Sequence, residues 1–291
     1  MKRNLLVGLS IALLVVLPFS AQAFDFSVTY LNPMYSADDF LSLGFRTNAM
    51  AFDPAGNLYT NNRATESGTG HFSILKSNAG DYTTFSTYAS YTSQMYTISG
   101  LDFDQTGSLF VTEVNAQAST GPTRDAGLIR EITTDLSVNQ IEYFTDFRPT
   151  GVAAVGDGML YFPGRKWSDP NWGNLYRLDL SELPWTEEIY KENRVATGIA
   201  IDASGRMYIA TRDNSIWTRD PVTDQPILVA TFNDGIEELT FDSAGNLYVL
   251  EGSQEAGGDI IRLRPVPEPA TMLLLGSGLI GLAGFRRRFK K

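Results

Sequence analysis

Five segments of the chain repeat one ten-residue pattern without a gap, and this repetition limits the fold more than any other feature. Residues 50–59 read MAFDPAGNLY, 101–110 LDFDQTGSLF, 152–161 VAAVGDGMLY, 199–208 IAIDASGRMY and 239–248 LTFDSAGNLY. Each copy joins an apolar strand, through a glycine turn, to a second strand ending in an aromatic. The turn glycines Gly56, Gly107, Gly158, Gly205 and Gly245 are spaced by 51, 51, 47 and 40 residues. A period of roughly 40–50 residues carrying several strands each points to propeller blades, which bury their apolar faces only against their neighbours.

The turn has a mechanical reading. Aspartate first and glycine fourth is the preference of a type I turn, with the carboxylate accepting backbone N–H groups. Asp53, Asp104, Asp202 and Asp242 fit it, whereas the third copy has Val155 there and moves its acid to Asp157. These aspartates lie in separate blades and cannot share an ion, so they read as turn formers rather than a calcium site.

Third strands follow at 72–76, 127–132, 174–178, 215–218 and 259–263, and fourth strands at 82–88, 140–144, 187–190 and 227–232. The last copy has no room for a fourth strand before Pro265. The alternating segment 26–30, FSVTY, is expected to supply it and so remove the exposed edges at the ring's seam. The expected fold is therefore an all-β propeller of five countable blades closed by an N-terminal strand. The alternative of six would need four strands within 32–47, which is too short. The repeated pattern resembles the NHL-repeat and gluconolactonase-like propellers, and over residues 26–264 this resemblance implies the scaffold rather than a particular activity.

The two ends read as addresses. Lys2 and Arg3, the apolar run 5–19 and Ala21-Gln22-Ala23 form a secretory signal with a cleavage site, residues 1–23. At the other end come Val266-Pro267-Glu268-Pro269, sixteen uncharged residues at 270–285, and a basic tail at 286–291. As a helix, the uncharged run would reach about 24 Å, enough to span a locally thinned bilayer with flanking arginines snorkelling. This order of parts resembles the PEP-CTERM sorting signal of exported bacterial proteins. The resemblance implies processing by an exosortase-type peptidase, a transient inner-membrane anchor, and a final place at the cell surface or in extracellular matrix, with exopolysaccharide as the usual setting. The propeller would then occupy 24–265 and the sorting signal 266–291.

Seven of the 23 basic residues lie in these end segments, so the part between is more acidic than the whole chain, whose net charge is −10. Such a body repels phosphates, and a nucleic-acid partner is not expected. The chain has no cysteine, which excludes disulfides, thiol catalysis and thiolate-held metals.

Ligands of propellers meet the mouth of the central channel, near the starts of the innermost strands. The equivalent positions there are Asn48, Ser99, Thr150, Thr197 and Glu237. Those six residues beyond each glycine, after the second strands, are Asn62, Glu113, Gly164, Thr211 and Glu251. Glu113, Glu237, Glu251, Asn48 and Asn62 carry the oxygen atoms that Ca2+ or another divalent metal would need. The gluconolactonase-like resemblance implies a metal-dependent lactonase or esterase, but where that family places Pro-Asn-Gly this chain has Pro149-Thr150-Gly151. The lone His71 precedes a third strand, and no nucleotide-binding glycine motif occurs.

One loop carries recognition chemistry. Residues 165–173, RKWSDPNWG, place Trp167 and Trp172 beside Arg165, Asp169 and Asn171, a set that could stack on a sugar ring and bond its hydroxyls. The sequence thus favours a non-enzymatic exported binding propeller with no cofactor. The alternative is a lactonase-like hydrolase with a divalent metal in the channel.

Overall fold

The computed structural model describes residues 28–63, 70–115, 126–156, 158–166, 174–181, 195–253 and 257–266, and every regular element among them is a strand. The first blade is β3 (Met50–Phe52), β4 (Leu58–Asn61), β5 (His71–Asn78) and β6 (Asp81–Thr92). The second is β7 (Thr97–Phe103), β8 (Leu109–Val114), β9 (Gly127–Ile132) and β10 (Val138–Phe144). In the third, the inner strand is broken into β11 (Phe147–Pro149) and β12 (Ala153–Val155), both paired with β13 (Met159–Lys166), which pairs with β14 (Asn174–Asp179). The fourth is β15 (Ala196–Ile201), β16 (Met207–Thr211), β17 (Ser215–Arg219) and β18 (Pro226–Phe232). The fifth opens with β19 (Gly235–Phe241), β20 (Leu247–Ser253) and β21 (Gly257–Pro265). The expected fourth strand at 187–190 lies outside the described residues.

The turns form as their chemistry dictates. The Gly56 N–H donates to the Asp53 carbonyl at 2.9 Å, and Gly56 takes φ +83°, a conformation that favours glycine. The Asp53 carboxylate accepts from the Asn57 N–H at 2.9 Å, and the Asp104, Asp202 and Asp242 carboxylates each accept the equivalent N–H at 2.9–3.0 Å. The aromatic that ends the pattern returns to the same acid in two copies, with Tyr59 and Tyr248 donating to Asp53 and Asp242 at 3.0 Å.

Five apolar cores, one at each junction of neighbouring blades, fix the blade number. Leu101 and Leu128 meet Phe72 and Ile74 between the first and second blades. Phe110 and Ile129 meet Phe162 and Tyr176 at the next junction, and Leu175 meets Ile199 and Ile209 at the third. Ile216 and Val229 pack on Leu239 and Val249, and Leu250 and Ile260 on Met50 and Leu58. That last core closes the ring of five.

An N-terminal strand does complete the last blade, but it is not the segment the alternation suggested. β1 (Val28–Leu31) pairs with β18 as an added fifth strand on the fourth blade, and β2 (Tyr35–Ser42) pairs with β21 as the missing fourth strand of the fifth. The reason lies in the side chains. Phe40 of β2 sits 4.8 Å from the ring of Tyr248 and 4.9 Å from that of Tyr82, bridging the seam between last and first blades. Asp38 accepts from both Arg262 and Arg264. The segment 26–30 has no acid to meet the two arginines.

Candidate functional site

The five residues at the starts of the inner strands, Asn48, Ser99, Thr150, Thr197 and Glu237, all line one basin of 300 Å³ at the channel mouth. Local irregularity aims them there. Ser99, Thr197 and Glu237 each fall at a register shift, between Ile98 and Gly100, Ala196 and Gly198, and Ile236 and Glu238, while Thr150 sits in the break between β11 and β12. Such bulges turn a side chain away from the pleat and are frequent beside binding sites.

Part of this ring is structural. Asn48 donates through Nδ2 to the carbonyl of Ile98 at 2.9 Å, and the Ser99 hydroxyl donates to that of Pro149 at 2.9 Å. Thr197 repeats the bond to Ile236 at 3.5 Å. Each bond runs from a mouth residue to the carbonyl just before the mouth residue of the next blade met, so these groups lace blades together. What remains directed at the basin is the Glu237 carboxylate, whose Cγ lies 2.6 Å from where a Cβ on Gly252 would be, while Asn48 Oδ1 is buried without a hydrogen-bond partner. Gly252 is required to leave Glu237 its room.

The residues six beyond each glycine do not join them as expected. Glu113 is fully buried, accepts from Arg130 Nε at 2.8 Å and also accepts from Ser93. Glu251 accepts from the Asp234 N–H at 3.0 Å, and Gly164 is covered by the Phe147 ring. Asn62 is not among the described residues lining the basin, whereas Thr211 is. The error is one of register. The bulges place Glu113 opposite Ile98 and Glu251 opposite Ile236, on the faces packed between blades. The next residue in each copy faces the mouth instead: Arg63, Val114 and Arg212 line the basin, and Gly252 packs on Glu237. Arg165 holds the same place in the third copy, directly opposite Arg148, which also lines the basin.

The candidate metal set is thus not assembled. Of Asn48, Asn62, Glu113, Glu237 and Glu251, only Asn48 and Glu237 line the basin, and no group of three acids or histidines able to hold a metal exists among the described residues. Guanidinium groups surround the one basin carboxylate. Burial pushes the Glu237 carboxyl up, and Arg63, Arg148 and Arg46 oppose that rise. A donor set of one carboxylate among arginines does not fit a divalent cation.

Below the basin the channel narrows to a waist. The aligned residues there are Ala49, Gly100, Gly151, Gly198 and Glu238. A Cβ on Gly100 would lie 2.6 Å from the Gly151 Cα, so the strands approach too closely for side chains. Ala49 adds only a methyl, and Glu238 is the one long side chain of the set. It is fully buried, with Oε1 3.2 Å from where a Gly151 Cβ would be and Oε2 without a hydrogen-bond partner. Burial, with Asp102 and Glu237 adding to it, holds its pKa well above the usual carboxylate range. Beyond it lies Asp102, which accepts from the Ala154 N–H at 2.8 Å and which burial pushes up to about 7. Asp102 opens onto a second cavity of 260 Å³ among the turn aspartates Asp53, Asp104 and Asp242.

Of the other sequence candidates, Arg165 is the last residue but one of β13, and Trp167, Asp169, Asn171 and Trp172 lie outside the described residues. His71 opens β5 and is exposed. Val266 donates its N–H to the Met34 carbonyl at 2.7 Å, so the sorting signal begins where the propeller ends. Pro267, Glu268, Pro269, the apolar run 270–285 and the leader 1–23 lie outside the described residues. Among the described residues no helix is long and apolar enough to cross a membrane.

Comparison with known proteins agrees with this architecture. Residues 265–288 match the PEP-CTERM protein-sorting motif, which implies export, a membrane anchor and processing by an exosortase. The fold is similar to that of a luciferin-regenerating enzyme, at 13% identity and TM-score 0.53, over 80% of this chain and 96% of that one. It is also similar to a gluconolactonase of Xanthomonas campestris, at 15% identity and TM-score 0.51, over 76% of this chain and 72% of that one. These solved structures are gluconolactonase-like β-propellers, and at such identities the likeness concerns the fold alone. No curated protein matches the sequence.

Proposed function

We propose that this chain is an exported propeller that holds a ligand at its channel mouth without turning it over, and that it does so at the cell surface or in the extracellular matrix after sorting. The observation that carries this reading is the composition of the basin: guanidinium groups of Arg63, Arg148 and Arg212 around the single carboxylate of Glu237. A mouth of this kind offers hydrogen bonds and charge to a bound molecule, and among the described residues no metal-ligand cluster is assembled there.

The leader at 1–23 would direct export, the helix at 270–285 would hold the chain in the inner membrane, and release would follow cleavage near Pro267 to Pro269. Trp167 and Trp172 are the sequence's candidates for stacking on a sugar, and exopolysaccharide is the partner that suits such stacking. The lactonase reading requires Glu113 and Glu251 to turn from Arg130 and the Asp234 N–H towards Glu237.

The full chain in mild detergent should be screened by thermal shift against divalent metals, lactones and oligosaccharides. Stabilisation by an oligosaccharide, with no lactone hydrolysis, is the expected result. Lactone turnover that disappears on chelation and in Glu237→Gln would overturn the binding reading in favour of a hydrolase.

A further inference from the structure

We propose that, while the C-terminal anchor holds the chain, the propeller rests on the bilayer with the face that carries its turn glycines. The channel mouth then points away from the membrane. This orientation holds whatever the mouth binds, and the surface it assigns to the turn face is lipid.

Strand register assigns each described hairpin loop to one end of the ring. In the second blade Thr97 pairs with Val114 and Val114 with Gly127 at the mouth end. Phe103 pairs with Leu109, Leu109 with Ile132 and Ile132 with Val138 at the end of the Gly107 turn, so the loop 133–137 lies on the turn face. In the fourth blade Tyr208, just after the Gly205 turn, pairs with Thr218, and Arg219 pairs with Pro226, which places the loop 220–225 there too. β21 runs from the mouth end, where Gly257 pairs with Ser253, to Pro265 opposite Tyr35. The chain therefore leaves the propeller on the turn face, beside the loop 32–34.

That face carries the exposed apolar side chains. Five large hydrophobics are exposed among the described residues: Tyr30 on β1, and Met34, Leu136, Val222 and Val266 in these loops and at this exit. None lies in a described loop of the mouth. Single exposed hydrophobics need no explanation, but four gathered on one face do. Leu136, 47% exposed, is held at φ +66°, a left-handed conformation that suits glycine or asparagine, with its N–H donating to the Thr133 carbonyl at 2.8 Å. A leucine at this position serves neither the turn nor a core, and such a residue points to a role at the surface. Val222, 89% exposed, is presented by a turn in which Asp220 Oδ1 accepts from the N–H groups of Val222 and Thr223 at 2.9 and 2.8 Å. Met34 stands at the exit itself, its carbonyl accepting from the Val266 N–H at 2.7 Å.

The exit also sets the distance to the membrane. Residues 265–288 match a sorting motif that implies an anchor, and the uncharged run begins at Ala270. The four residue steps from Val266 to Ala270 reach about 14 Å at full stretch. The headgroup layer takes up about 5–8 Å of that reach. The turn face is thus held close enough for protruding Met, Leu and Val side chains to enter the apolar boundary, where they leave water. Leu136 is on the second blade, Val222 on the fourth and Met34 beside the fifth, so the contacts are spread round the ring and keep it level. Asp135, Asp220 and Asp224 stand in the same turns, so the contact is apolar rather than electrostatic and suits zwitterionic lipid.

The chain has no cysteine, so a fluorescent probe can be attached at one introduced thiol at a time. Met34→Cys, Leu136→Cys and Val222→Cys report on the turn face. Gln94→Cys is the reference, because its loop follows the pairing of Thr92 with His71 at the mouth end. Each full chain is reconstituted in phosphatidylcholine vesicles with and without brominated acyl chains. The three turn-face probes should be quenched at least about twofold more than the probe at 94, and less so when phosphatidylglycerol replaces part of the lipid. Leu136→Asn with Val222→Asn should reduce quenching at position 34 while the melting temperature stays level or rises, because asparagine tolerates the left-handed conformation. Equal quenching at all four positions, or strongest quenching at 94, would overturn the orientation. Absence of quenching at every position would overturn lipid as the surface this face meets.

Discussion

Arg130 donates through Nε to Glu113 Oε1 at 2.8 Å, deep between the second and third strands of the second blade. This contact turns a carboxylate that could have served the channel into part of the scaffold. Burial pushes the Glu113 carboxyl up, while Ser93 and Arg130 oppose the rise. Glu113→Gln leaves a buried guanidinium without its counter-charge and should cost about 2–4 kcal/mol of stability. Ligand retention at the mouth should not change, and a denaturant melt with a parallel binding assay separates the two effects.

The buried acids should make the propeller most stable in mildly acidic solution. Asp102 is pushed up to about 7 in the folded chain, chiefly by burial, with Asp104 adding to the rise; Glu238 is raised as well, with Asp102 and Glu237 adding to burial. Between the ordinary carboxylate range and pH 7 the folded state holds a proton on Asp102 that the unfolded state has lost. Stability from this group is therefore fully present below about pH 4 and falls as the pH rises through about 7, by a few kcal/mol in all. Asp102→Asn should flatten that part of the profile, and thermal melts from pH 5 to pH 9 provide the measurement. At the waist, Glu238→Gln should keep the fold and raise alkaline stability.

The seam between the last and first blades should depend on β2 far more than on β1. Phe40→Ala removes a partly buried ring that touches Tyr82 and Tyr248, and should cost about 2–3 kcal/mol, somewhat below the ~3–5 kcal/mol of a fully buried phenylalanine. Tyr30 is 43% exposed on β1, and Tyr30→Ala should stay within about 0.5 kcal/mol of the parent. Equal melting temperatures for the two variants would assign closure elsewhere.

Processing can be followed by mass. The surface form should contain no peptide from Thr271 onward, because the exosortase cut is expected near Pro267 to Pro269. A mature form that keeps Arg286 to Lys291 would mean the tail is retained as an anchor.

The blades, their number and the turn chemistry could be read from the chain because the five repeats align without a gap. Identical spacing is also what concealed the register at the mouth. A bulge at Ser99, Thr197 and Glu237 leaves no gap in the alignment, yet it sets Glu113 and Glu251 opposite Ile98 and Ile236, in the blade interfaces. Arginine at glycine plus seven in three of the five copies was the available signal. Closure was misplaced by a few residues for a different reason: 28–31 and 35–42 both suit strands, and only the tertiary partners of Asp38 and Phe40 decide between them.

The most direct test of the central claim is salt elution of the sorted protein from the surface of its own cells. If the arginine mouth holds a matrix ligand, the double variant Arg63→Gln/Arg212→Gln should be released at markedly lower salt than the parent while melting at a similar temperature. Release of both at the same salt concentration would contradict the account.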